Sequence, residues 1–109
     1  LGAIGEISFT EGYPSLVNDE DMTHLVAACG RELLGDDRVH VMKEPNMGVD
    51  DFAYFLQKAP GSYFLLGTGN TEKGLVHPLH SPFFDVDEAC LPVGSALMAA
   101  VALRFLEGR

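Results

Sequence analysis

The chain has 109 residues, enough for one domain with a modest core, and 47% hydrophobic and 21% charged residues are ordinary for a folded protein. Seven Lys and Arg against 16 Asp and Glu give a formal net charge of -9, which argues against nucleic acid or an anionic membrane as a partner. No apolar run is long enough to span a membrane and no signal peptide is visible, so we expect a cytoplasmic protein.

The first half of the chain predicts a strand, a helix and a second strand. Residues 4–9 alternate apolar and polar side chains, which is typical of a strand. Asn18 is a good N-cap for the helix that follows, and Gly35 is a natural stop for it. Residues 38–43 then predict a short strand.

The second half begins with a short helix and a buried strand. Asp50 or Asp51 can cap a helix over residues 52–58, and residues 62–67 form a compact apolar run that predicts a central strand. Residues 68–84 form a long loop punctuated by Gly and Pro, and long loops in compact domains are usually functional or disordered.

A final helix begins at about Asp87 or Pro92 and ends at Leu106, with small residues along one side. This order of elements predicts the α/β class, with helices flanking a mixed sheet. Cys29 and Cys90 lie among apolar residues on predicted helices, and we expect both to be free thiols.

His80 is the strongest candidate for chemistry. A neutral imidazole binds Zn, Mn, Ni or Co. Pro78 and Pro82 restrict its loop on both sides, and neighbouring apolar residues would exclude water. From the residues alone, however, a single loop histidine is more often solvated or hydrogen-bonded than a ligand.

Asp50 and Asp51 are adjacent carboxylates, which could form an acid–base pair. At the start of a helix, such neighbours more often act as caps. The chain contains no Gly-x-Ser-x-Gly motif and no phosphate-binding loop, so a nucleophilic triad or a nucleotide site is not indicated.

A series of short motifs carries a family resemblance. They are Met47-Gly48-Val49-Asp50-Asp51-Phe52, Pro60-Gly61-Ser62-Tyr63, Leu66-Gly67-Thr68-Gly69, Leu79-His80-Ser81-Pro82-Phe83-Phe84 and Leu91-Pro92-Val93-Gly94. In this order they resemble the C-terminal end of the M20 family of metal-dependent amidohydrolases, in the branch that removes acyl groups from amino acids.

The resemblance implies a division of the chain and a role for three residues. Residues 1–16 would end an inserted lid or dimerisation domain, and residues 17–109 would be the C-terminal part of a zinc-peptidase-like catalytic domain. His80 would be a metal ligand, and Gly48 and Asp51 would line the substrate cleft. Asp50 departs from the family, which usually has Glu there.

The resemblance also implies what a longer protein would do. It would use a pair of divalent metals, Zn or Mn and possibly Ni or Co, to hydrolyse the amide bond of N-acyl amino acids, and it would be a homo-oligomer. Its catalytic residues would lie upstream of this chain, so we expect this piece alone to be inactive and not to retain the metals. The alternative is a non-enzymatic binding or interaction module.

Overall fold

Three α-helices form the regular structure of residues 2–108, the part of the chain that the computed structural model describes. Helix α1 spans Glu20–Leu34, α2 spans Phe52–Leu56 and α3 spans Cys90–Leu106, with a 3-10 turn at Asp36–Arg38. Leu1 and Arg109, the outer ends of the two predicted domains, lie outside the described residues. None of the helices in this part has the length and hydropathy needed to cross a membrane.

Helix α1 begins one residue later than the sequence predicts. Asp19, not Asn18, is the N-cap, and its carboxylate accepts a hydrogen bond from the Met22 amide at 2.9 Å. The helix ends as expected at Gly35, whose φ of 89° suits a residue without Cβ and whose amide donates to the Arg31 carbonyl at 2.8 Å.

Asn18 has a different task. Its side-chain oxygen accepts from the Tyr63 amide and its NH₂ group donates to the Tyr63 carbonyl, both at 2.8 Å. These bonds satisfy both the N–H and the C=O of Tyr63, which a neighbouring strand would otherwise have to pair. The start of α1 is thereby joined to the segment that follows α2.

The predicted mixed sheet is wrong. Residues 2–108 contain no strand, and their only β-type pairing is an isolated antiparallel bridge between Asn70 and Leu75. A strand is stable only when another strand pairs with its backbone, and the segments at 4–9, 38–43 and 62–67 do not pair with one another. The alternating pattern at residues 4–9 indicated a preference for extended backbone, but no second strand within residues 2–108 pairs with it.

Helices α1 and α3 pack together and form the small core. Cys29 on α1 and Leu97 on α3 are buried, with 1% and 6% of their surface exposed, and Ala53 on α2 is the third buried apolar residue. Arg104 of α3 makes a bidentate ion pair with Glu32 of α1, and this pairing lowers the pKa of the Glu32 carboxyl. Both cysteines are free, as the sequence predicts.

The small side of α3 makes a close contact at Gly94. A Cβ atom at Gly94 would lie 2.9 Å from a methyl carbon of Leu66, so a larger residue there would require the Leu66 side chain to shift. The neighbour is an irregular segment rather than a sheet.

The surface is large for a chain of this size. The accessible area is 9449 Å², against about 5900 Å² for a folded monomer of 11.8 kDa. The radius of gyration is 18.7 Å, whereas a compact domain of this length has about 13 Å. Many large apolar side chains are part of this surface; Ile4, Phe9 and Met47 are 96%, 94% and 90% exposed.

Candidate functional site

His80 lies at the third position of a tight turn. The Ser81 amide donates to the Pro78 carbonyl at 3.1 Å, which encloses Leu79 and His80. The φ of His80 is 70°, a left-handed value that a type II turn requires at this position and that usually selects glycine. Among the described residues it is the only non-glycine with positive φ. His80 therefore carries backbone strain in this turn.

A second turn follows directly. The Phe84 amide donates to the Ser81 carbonyl at 3.0 Å, and the Phe83 amide donates to the Ser81 hydroxyl oxygen at 3.1 Å. His77 packs its ring against Phe83 with 5.4 Å between ring centroids. His77 thus has a local packing partner, whereas His80 is exposed and outside the core.

A cavity of about 380 Å³ adjoins this loop. Residues on both sides of His80 line it, although His80 itself does not. The lining residues are Leu66, Thr68, Gly69, Leu75, Val76, His77, Pro78, Leu79, Phe84 and Asp85. Because most of them are apolar, the cavity is suited to an apolar group next to the loop.

Asp87, which follows the segment that contains His80, binds the turn of residues 70–75 that precedes it. Its carboxylate accepts from Lys73 Nζ at 2.8 Å, from Asn70 Nδ2 at 2.6 Å and from the Ala89 amide at 3.2 Å. Its own amide donates to the Thr68 carbonyl at 2.8 Å. These donors, the Lys73 ammonium first, lower the pKa of Asp87 to about 2. Asp87 is therefore an anchored anion.

The two acidic residues before α2 have separate environments. Asp50 accepts from the Phe52 amide at 2.8 Å and from the Tyr63 hydroxyl at 3.1 Å, and this second bond raises the pKa of Tyr63. Asp51 is exposed, and its carbonyl oxygen accepts from the Tyr54 amide at 3.0 Å. Asp50 thus supports α2, and the Asp51 carboxylate is the one presented to solvent.

Gly48 lies in a short turn just before this pair. Its amide donates to the Asn46 side-chain oxygen at 2.8 Å, and a Cβ at Gly48 would lie 3.2 Å from that same oxygen. Gly48 is exposed, so its backbone is accessible to a ligand.

The structure places the three predicted site residues in two groups. Gly48 and Asp51 precede α2, His80 follows the 70–75 turn, and no hydrogen bond between the groups occurs within residues 2–108. In that part of the chain no three His, Cys, Asp or Glu residues are close enough to hold a metal ion. The residues present fit one imidazole ligand, not a complete metal centre, since a catalytic zinc usually needs three protein ligands.

The anchoring residues Asn70 and Lys73 were not predicted from the sequence. The segment Asn70-Thr71-Glu72-Lys73-Gly74 does carry a turn signal, because Asn and Gly favour turns and Asn side chains accept bonds from nearby amides. The Asn70 oxygen accepts such bonds from Glu72 and Lys73. Nothing local, however, indicates the contact with Asp87, which lies 14 residues beyond Lys73.

Comparison with known proteins identifies the family. Residues 4–104 match the model of Peptidase family M20/M25/M40. The chain is 43% identical over 105 residues to Thermostable carboxypeptidase 1 of Saccharolobus solfataricus and 36% identical over 104 residues to Probable hydrolase sll0100 of Synechocystis. It is 39% identical over 98 residues to IAA-amino acid hydrolase ILR1-like 6 of Arabidopsis thaliana.

These matches cover 95%, 95% and 89% of this chain, respectively. The chain belongs to Peptidase family M20/M25/M40. It spans only about a quarter of the curated relatives, namely 26% of the first two and 21% of the plant protein.

Proposed function

We propose that this chain is the C-terminal part of a longer metal-dependent hydrolase that cleaves the amide bond of N-acyl amino acids. Family membership supports the hydrolase class, and the relative named an IAA-amino acid hydrolase supports an acylated amino acid as the substrate. The share of each relative that the chain covers supports the view that most of the catalytic apparatus lies elsewhere. The cytoplasmic location and the homo-oligomeric state of that protein stay predictions from the sequence.

The observation that carries the proposal is the conformation of His80. A turn position that favours glycine holds a histidine, at a cost of about 1–3 kcal/mol for left-handed backbone in a non-glycine residue. Such strain usually persists where a side chain has a task. An exposed imidazole beside an apolar cavity is suited to binding a metal ion next to a substrate.

In this proposal the site residues of this chain supply only part of the active site. His80 would hold one of the two metal ions, and the metals would supply Lewis-acid activation of water and of the amide carbonyl. The Gly48 backbone and the Asp51 carboxylate would line the substrate cleft. Asp50 would support the start of α2 and the Tyr63 side chain through the hydrogen bonds it accepts from both. The remaining ligands and the proton-transferring base would come from the rest of the longer protein.

Two substitutions at one position test the ligand role in the full-length hydrolase. His80→Gly removes the imidazole and relieves the backbone strain, so we expect a folded protein. Loss of a residue that only supports a metal ligand commonly costs up to about 100-fold in activity, so loss of the ligand itself should reduce turnover by more than that. His80→Ala should lose as much turnover, with some added loss of stability from the strained φ. If histidine served only the backbone, His80→Gly would be fully active, and that result would refute the proposal.

The isolated chain offers a separate test against the non-enzymatic alternative. With His80 as its single proposed ligand and no complete ligand set among its described residues, it should hydrolyse no N-acyl amino acid when Zn²⁺ or Mn²⁺ is added. A chelator-treated sample serves as the control. A metal-dependent rate above that background would show that the 109 residues are sufficient for catalysis. It would refute the proposal that the other ligands and the base come from the rest of a longer protein.

A further inference from the structure

We infer that Asp87 is a positioning residue for His80. It acts by closing the loop of residues 76–86, called here the His80 loop, onto Asn70. The inference rests on the proposed function, because it takes His80 to be a metal ligand. It adds a residue that lies outside the site and contacts neither the metal nor the substrate.

The two ends of the His80 loop meet at one residue. At its entry, Asn70 and Leu75 exchange two backbone hydrogen bonds, each of 2.9 Å, just before the loop begins. At its exit, Asp87 accepts from the Asn70 side chain at 2.6 Å. The backbone of Asn70 therefore fixes one end and its side chain fixes the other.

Three further bonds make the exit point rigid. The Asp87 amide donates to the Thr68 carbonyl at 2.8 Å, Lys73 Nζ donates to the carboxylate at 2.8 Å, and the Ala89 amide at 3.2 Å joins that carboxylate to the start of α3. The Asp87 side chain is 16% exposed, so water competes little for these bonds.

Between these closed ends the loop has little freedom. The turns at Pro78–Ser81 and Ser81–Phe84 are consecutive, and Pro78 and Pro82 fix their own φ angles. The direction of the His80 imidazole then depends on where the loop begins and ends. A metal ligand outside its productive direction weakens the site, and loss of a supporting residue commonly costs 10–100-fold in metal affinity or activity.

A simpler role for Asp87 would be that of a cap for α3. Two variants separate the roles. Asp87→Ala removes both the loop closure and the bond to the Ala89 amide, whereas Asn70→Ala removes the side-chain closure and leaves that bond to α3 in place. A cap alone predicts normal metal affinity in Asn70→Ala, and a positioning role predicts a loss in both variants.

The experiment measures Mn²⁺ affinity and turnover in the full-length hydrolase. We expect Asp87→Ala and Asn70→Ala to raise the apparent Kd for Mn²⁺ by about tenfold, with turnover recovering at saturating Mn²⁺. Asp87→Asn keeps one accepting oxygen but turns an NH₂ group toward the donor on Asn70 or on Lys73, so we expect an affinity between those of wild type and Asp87→Ala. Glu72→Ala is the matched control, since it removes an exposed carboxylate from the same turn, and we expect no change.

Each outcome bears on one claim. Wild-type Mn²⁺ affinity in Asn70→Ala and Asp87→Ala, alongside a His80→Gly variant that has lost metal, would overturn the positioning role and leave the proposed function intact. Wild-type metal binding in His80→Gly would instead refute the proposed function. If Asp87→Ala fails to fold, Asn70→Ala and Lys73→Met test the positioning role instead. Each removes one donor to the Asp87 carboxylate and leaves its bond to the Ala89 amide in place.

Discussion

Two regions of this molecule acquire order in different ways. Residues 18–38 and 61–106, the anchored region, hold themselves together through helix α1, helix α3 and side chains that bind distant backbone, such as Asn18 on Tyr63. Residues 2–17 and 40–49, the open region, make no backbone–backbone hydrogen bond within the described chain. The difference is one of partners, since the strand-like segment at residues 4–9 and most of that at 38–43 lie in the open region and pair with no strand within residues 2–108.

The comparison separates local from non-local information. A helix satisfies its own backbone, so its sequence signals are sufficient to place it. A strand needs a second strand, and its pattern indicates a preference rather than a structure. Thermostable carboxypeptidase 1 and Probable hydrolase sll0100 are about four times longer than this chain, and if it is part of a longer hydrolase, as proposed, the open region would find its partners there.

The largest effect should come from the core of the anchored region. Leu97→Ala removes a buried side chain between α3 and α1, and we expect a loss of 2–5 kcal/mol in the free energy of unfolding. Urea unfolding followed by circular dichroism measures it. Leu106→Ala, at a residue that is 81% exposed on the same helix, is the control and should change stability by less than about 0.5 kcal/mol. Equal losses at both positions would show that the two helices do not form the core.

The open region should make the isolated chain self-associate. Ile7 and Phe9 are 79% and 94% exposed, and unpaired apolar segments of this kind invite pairing between copies. Since burying one such side chain contributes about 1.5–3 kcal/mol, Phe9→Asp should weaken association at least about tenfold. Light scattering over a range of concentrations is the measurement, and Leu106→Asp is the control in the anchored region. A wild-type chain that stays monomeric throughout would contradict this expectation.

A smaller effect should follow loss of the α1 cap. Asp19→Ala removes the acceptor of the Met22 amide, and we expect a loss of about 1 kcal/mol. Asp21→Ala, in the first turn of the same helix, removes a similar charge without a cap and should cost only a few tenths of a kcal/mol. If Asn18→Ala cost stability through the cap while Asp19→Ala cost none, the assignment of the N-cap would be wrong.

The subtlest effect concerns pH. The pKa of Asp87 is lowered from 3.8 to about 2 in the folded chain, chiefly by the Lys73 ammonium. Its contribution to stability is therefore fully present above the unfolded value and is lost as the pH falls through about 2. Carboxyl ¹³C shifts should show Asp87 titrating near 2, and Lys73→Met should raise the pKa, whereas Lys58→Met should not. A wild-type midpoint near 4 would mean that the contacts of Asp87 do not persist in solution.

The sequence predicted the helices well and the sheet wrongly. Gly35 and Leu106 were predicted as helix ends because glycine stops and apolar periodicity are local signals. The predicted strand at 62–67 is wrong, because the backbone there is bonded to Asn18 and packed beside Gly94 rather than paired with another strand. Even the cap was misplaced by one residue, since Asn18 and Asp19 are equally good caps and only the contact with Tyr63 distinguishes them.

The candidate site shows the same limit. His80 was singled out by its prolines and its family motif, but its left-handed backbone could not be deduced, because only a few per cent of non-glycine residues adopt that conformation. The closure of the His80 loop by Asn70 and Asp87 depends on a contact between residues 17 apart. Such a contact follows from the path of the chain, which composition and spacing do not specify.

The metal content of the full-length hydrolase tests the central claim most directly. After removal of metal with a chelator and reloading with Zn²⁺ or Mn²⁺, the wild type should hold two ions per subunit and His80→Gly should hold one, with the same circular dichroism spectrum. Glu72→Ala should hold two. Two ions per subunit in His80→Gly would contradict the assignment of His80 as a metal ligand, and with it the function proposed for this chain.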